Sequence, residues 1–135
     1  MKLFQPFKGF FLSCMSALYV TGVVVFILGQ FWQVDRGFGL EPSPWKLTFL
    51  QMHSIVGLFF MFLFGYLWAT HITPGWRRRK KRGTGAAMTG VCIVLFLTVP
   101  FIFYATHEDL KAVSVWIHTY LGLVALLPFL YHLLV

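Results

Sequence analysis

Four apolar runs, each near the ~20 residues needed to cross the hydrocarbon of a bilayer, occupy most of this chain and leave only short polar links between them. Inside lipid the backbone finds no water to bond, so each run must satisfy its own amides and carbonyls and is expected to be helical. The runs are placed at residues 10–31, 47–71, 86–105 and 112–135. A composition that is 59% hydrophobic and only 11% charged excludes an ordinary soluble domain, where about a quarter of residues are charged. Short links make successive spans antiparallel neighbours. The expected fold class is therefore all-α, an integral membrane four-helix up-and-down bundle in a single domain.

The links carry the polar information. Lys2 and Lys8 precede the first run, which continues long past Leu12-Ser13-Cys14 and so reads as an uncleaved span rather than a signal peptide. Trp32 to Trp45 holds Asp35, Arg36, Gly37, Gly39, Glu41, Pro42 and Pro44, a density of glycine and proline that marks a loop. Pro74 and Gly75 are expected to close the second span, and Arg77 to Arg82 follows as an unbroken basic run. Pro100 is expected to kink the third span, because proline removes one backbone hydrogen bond.

The net charge of +7 is distributed unevenly. Lys2, Lys8 and the six residues 77–82 put eight cations on one side, against Arg36, Lys46 and Lys111 on the other, where all four acids also fall. The excess of Lys and Arg places both termini in the cytoplasm. Gly83-Thr-Gly85 after the basic run gives a faint likeness to a phosphate loop, but the strand and the following lysine of such a loop are missing. A topology signal that also touches anionic lipid is the expected role. Cys14 and Cys92 lie in separate runs without a C-x-x-C-H pattern, which gives no indication of covalent haem and makes both small hydrophobes of the interior.

Histidines inside apolar spans are the feature that points to chemistry, since ionisable groups in a membrane are costly and functional by default. His118 and His132 are fourteen residues apart, close to four turns, so they share a face with roughly 21 Å between them along the axis. His53 and His71 are eighteen apart, or five turns, and share a face likewise. In an up-and-down bundle the second and fourth spans run in the same direction, which pairs His53 with His118 near the outer surface and His71 with His132 near the inner one. The spacings differ by four residues, about 6 Å of rise, which helix tilts averaging around 20° can share between the two levels. Histidines at matching depth on facing helices suit an iron held by two neutral imidazoles, so two haems are expected, one per leaflet. Gly57 and Gly122 each follow an outer histidine by four residues, leaving space for a porphyrin edge on the same face; Gly22, Gly65 and Gly90 offer similar room. Arg36, Lys46 and Arg77 are candidate partners for haem propionates. His107 lies in a polar link and is expected to be structural.

Trp116-Ile-His118-Thr-Tyr-Leu-Gly122 through His132, Met52-His53-Ser-Ile-Val-Gly57, and His71 followed by Gly75-Trp76-Arg77 and Gly90 carry a resemblance to a known family. The chain resembles the four-helix di-haem b-type cytochromes of prokaryotic membranes, a group that includes cytochrome b subunits of respiratory dehydrogenases and hydrogenases. The resemblance implies two non-covalent haem b groups, the outer on His53 and His118 and the inner on His71 and His132. It further implies one-electron transfer across a bacterial or archaeal cytoplasmic membrane, to or from quinone, beside other redox subunits of a complex. The chain departs from the family in offering no segment after Val135 to cover the inner haem. Two alternatives remain open at this level. One is a haem-free membrane anchor or assembly subunit whose histidines tie helices together; the other is a stand-alone oxidoreductase passing electrons between quinone and a small oxidant. A transporter is disfavoured because the mid-depth residues, such as Phe59 to Phe64, are nearly all apolar.

Overall fold

The computed structural model describes residues 5–35, 37, 39–79 and 81–134. Among the described residues the protein is all-α apart from one short ribbon, and four helical stretches are long and apolar enough to cross a membrane: Pro6–Gln30, Trp45–Arg77, Arg82–Tyr104 and Glu108–Leu134. The described residues fall into two compact units that meet at Gly65 and Tyr66, within the second stretch.

In the first unit, α1 (Gln5–Gln30) leads into α2 (Trp45–Leu67) through a small antiparallel ribbon. Its strands, β1 (Gln33–Asp35) and β2 (Leu40–Pro42), pair Gln33 with Pro42, Val34 with Glu41 and Asp35 with Leu40. The sequence marked this stretch only as a loop. The same residues that gave that reading make the ribbon's turn: Gly37 and Gly39 take φ of 85° and 124°, values that side chains with a Cβ rarely adopt, and the Asp35 carboxylate accepts a bond from the Gly37 amide at 2.9 Å.

The two helices then run antiparallel. The contacts that pin them form one ladder. Phe11 packs on Phe60 with ring centroids 5.5 Å apart, the Cys14 thiol reaches Val56 O at 3.9 Å, and Thr21 meets His53 at 3.1 Å. Near the ribbon, the Lys46 side chain lies across Gly29, where a Cβ would come within 3.1 Å of its Nζ.

The second unit begins as α2 passes into a π-helical segment, Trp68–Ile72, and then α3 (Thr73–Arg77). The expected stop at Pro74 and Gly75 does not occur. Pro74 stands at the start of α3, directly after the π segment, and the helical stretch runs on through it to Arg77. The chain reverses through a tight basic turn in which Arg79 and Lys81 are left-handed, with φ of 59° and 50°. Arg82 fastens this turn: its Nε donates to Trp76 O at 2.8 Å, and its guanidinium carbon is 5.0 Å from the centre of the Trp76 ring.

From there α4 (Arg82–Tyr104) runs through Pro100 with no break in its bounds, and takes Gly83-Thr84-Gly85 into its first turn. The last stretch returns as α5 (Glu108–Val124) and α6 (Leu126–Leu134), with His107 extended and exposed just before it. The division at Ala125 has a local cause: Pro128 has no amide to give to the carbonyl of Val124 four residues earlier.

Among the described residues few side chains are buried. Phe11, Phe60, Cys92 and Ala125 are the buried apolar residues, whereas Thr21, Ser43, Thr98 and Ser114 are the buried polar ones. A water-soluble protein of this composition would bury its phenylalanines; here Phe10, Phe59, Phe62 and Phe103 are more than half exposed, as a lipid solvent allows.

Candidate functional site

The four span histidines lie partly buried on their helices, two per long stretch of chain. His53 belongs to the first unit, His71, His118 and His132 to the second. Three of them share one arrangement: the Nδ1 nitrogen meets a threonine hydroxyl on the preceding antiparallel helix. His53 meets Thr21 of α1 at 3.1 Å, His118 meets Thr98 of α4 at 2.7 Å, and His132 meets Thr84 of α4 at 2.8 Å.

The threonines favour one direction for these bonds. A hydroxyl has one proton. In each case that proton is directed to a carbonyl of the threonine's own helix: Thr21 to Ala17 O at 2.8 Å, with Leu18 O at 3.1 Å, Thr98 to Leu95 O at 2.7 Å, and Thr84 to Lys81 O at 3.2 Å. Such back-bonding is common for threonine in helices. It leaves the oxygen able to accept, and an imidazole protonated on Nδ1 can then donate to it. For His53 a second acceptor requires the same proton, because Nδ1 also lies 3.1 Å from Leu18 O. In the neutral ring the other nitrogen, Nε2, then carries the lone pair that can bind a metal.

His71 is held differently. Its neighbour Thr70 turns its hydroxyl to Tyr66 O at 2.8 Å, along the same helix. The ring of His71 faces that of His132 instead, with centroids 6.4 Å apart and planes at 90°. Rings this close could both serve one cofactor, and the separation also fits an edge-to-face ring contact. The sequence put His71 five α-turns from His53, but its position inside the π segment changes that phase, because i→i+5 bonding fits more residues into each turn. The same widening reduces the advance per residue and so absorbs part of the four-residue mismatch between the histidine spacings.

The remaining candidates have varied surroundings. Gly57 lies against Leu18, whose Cδ1 would be 3.7 Å from an added Cβ, and Gly122 faces Leu95 at 4.0 Å. A Cβ at Gly65 or Gly90 would meet nothing within 4 Å. Gly22 proves to make room for an imidazole rather than a porphyrin edge: a Cβ there would be 3.0 Å from His53 Cε1. Among the propionate candidates, Lys46 packs across Gly29, Arg77 is exposed at the end of α3, and Arg36 falls outside the described residues. Lys81, not singled out from sequence, is nearer the chemistry, with Nζ 3.4 Å from His132 O.

The threonines are what sequence reading missed. One signal was present: Thr84 and Thr98 are fourteen residues apart on one helix, the same interval as His118 and His132 on the helix that returns beside it. Among the described residues no three His, Cys, Asp or Glu side chains gather into a metal cluster, so the histidines act singly or in pairs. Comparison with known protein families, with characterised proteins and with solved structures finds no match for this chain.

Proposed function

We propose that this membrane protein is an electron-transfer subunit that holds two non-covalent b-type haems, the inner on His71 and His132 and the outer on His53 and His118. The observation that carries the reading is the threonine hydroxyl beside Nδ1 of His53, His118 and His132, at 3.1, 2.7 and 2.8 Å, an arrangement that suits a proton on Nδ1 and a free lone pair on Nε2. The 6.4 Å separation of the His71 and His132 rings supports the inner pair. Haem bound at such positions supplies one-electron redox chemistry at two depths. The chain's own part is to hold and orient the imidazoles, to surround them with apolar side chains and to keep water away. Quinone is the proposed lipid-soluble partner, with other redox subunits at the polar surfaces. The membrane of residence is a bacterial or archaeal cytoplasmic membrane, with both termini and the basic turn inside.

The purified full-length protein tests this directly. A reduced-minus-oxidised absorbance spectrum with bis-imidazole b-type bands and two haems per chain is expected, falling to one haem in His118→Ala and in His132→Ala. Retention of both haems in either variant removes the ligand assignment. One further reading draws on a specific observation, since the Thr98–His118 and Thr84–His132 bonds also tie α4 to the returning helix. A haem-free anchor held together by those ties would purify without colour even when haem is supplied.

A further inference from the structure

Threonine hydroxyls in apolar helices usually end at their own backbone. In this chain each of three also meets an imidazole Nδ1, and two of the three, Thr21 and Thr98, are among the few buried polar residues, each 7% exposed. A polar group so placed in a membrane must be bonded, and the partner in each case is a histidine rather than a serine, an amide or a carbonyl alone. We infer that Thr21, Thr84 and Thr98 are positioning residues that fix the tautomer of His53, His132 and His118, holding the proton on Nδ1 and setting the donor strength of Nε2.

The physical basis is the acceptor on Nδ1–H. An oxygen there draws the proton outward, makes the ring more basic and strengthens Nε2 as a ligand. A threonine oxygen already committed as donor to a backbone carbonyl is polarised by that bond and becomes a better acceptor. His71 provides the internal contrast, because among the described residues no threonine hydroxyl meets its ring. The inner pair is thus unequal, with one histidine oriented through α4 and one placed by the π segment. For its redox consequence this inference rests on the haem reading; for the tautomer it does not.

The test uses the full-length protein in lipid nanodiscs, with nitrogen-labelled histidine, in haem-free and haem-loaded forms. Thr98→Val removes the hydroxyl at nearly constant shape, and Thr98→Ser restores it. In the haem-free protein, the side-chain nitrogen shifts of His118 are expected to report Nδ1–H in the wild type and in Thr98→Ser, and a tautomer mixture in Thr98→Val. In the loaded protein, Thr98→Val is expected to keep its haem content while the midpoint potential of one haem rises, since a weaker imidazole donor favours the oxidised iron less. Thr84→Val repeats both readouts at His132 and decides the matter should Thr98→Val fail to fold. An Nε2–H tautomer in the wild type, or shifts and potential unmoved in the valine variants, overturns the inference. A wild-type chain that takes up no haem sinks the cofactor reading alone, because the nitrogen shifts of the haem-free protein still decide the tautomer.

Discussion

Gly22 shows how tightly a single residue is bound to its histidine. The His53 ring is fixed at Nδ1 by Thr21 and by Leu18 O, both at 3.1 Å, and Gly22 closes the space behind it so that an added Cβ would stand 3.0 Å from Cε1. The ring can yield only by lengthening those bonds. Alanine gains about 1 kcal/mol over glycine in a helix interior, but overpacking costs about 1–3 kcal/mol. Gly9 lies on the same helix with nothing within 4 Å of its added Cβ. Thermal unfolding in detergent is therefore expected to place Gly22→Ala about 1–3 kcal/mol below Gly9→Ala; equal stabilities would show that His53 moves freely. Sequence alone could not mark Gly22 in this way. Its neighbours along the chain say nothing of an imidazole thirty-one residues later, whereas His53 stands out simply by being ionisable inside an apolar run.

Among the elements, the last helical stretch shows the clearest coupling of local geometry to the site. Pro128 divides α5 from α6 and lies four residues before His132, so the direction of α6 decides where that ring meets Thr84 and His71. Pro128→Ala restores the missing amide, is expected to merge the two helices and removes the local freedom that seats His132 against both partners. Helix content should hold or rise while the haem assigned to the inner pair is lost and the other is kept. Two haems retained in Pro128→Ala would show that the interruption at Pro128 is irrelevant to the site. The sequence reading placed the four spans within a few residues, and its errors share a cause. Hydropathy finds where apolar side chains stop, whereas helices continue through polar ends: α2 starts at Trp45, α4 at Arg82 and α5 at Glu108, each ahead of the apolar run it serves. The π segment and the three-residue strands were equally out of reach, since both are settled by backbone bonds that leave no periodic trace.

At the level of the whole molecule, the apolar exterior and the cation count together govern how the protein is inserted. Exposed Phe62, Tyr104 and Leu134 suit a lipid-facing surface for these helices. The basic run at residues 77–82, which joins α3 to α4, carries six of the eleven cations, so it is expected to remain in the cytoplasm while the ribbon between α1 and α2 crosses to the far side. Reporter fusions check this. A cytoplasm-active reporter placed after Arg79 should work and one placed at Gly37 should not, and the reverse pattern would invert the protein. Reversing the signs of Arg77, Arg78 and Arg82 together should weaken or flip that preference.

The equal fourteen-residue intervals on α4 and on α5–α6 have a consequence for assembly. Two bonds set at identical intervals on opposed rods are satisfied together at one offset, and both fail once one rod slides along the other. Interhelical bonds in membranes average roughly 0.6 kcal/mol each, so the pair contributes little to depth of folding. It contributes alignment: every shifted docking of these two helices strands two hydroxyl–imidazole partners in hydrocarbon at the same moment.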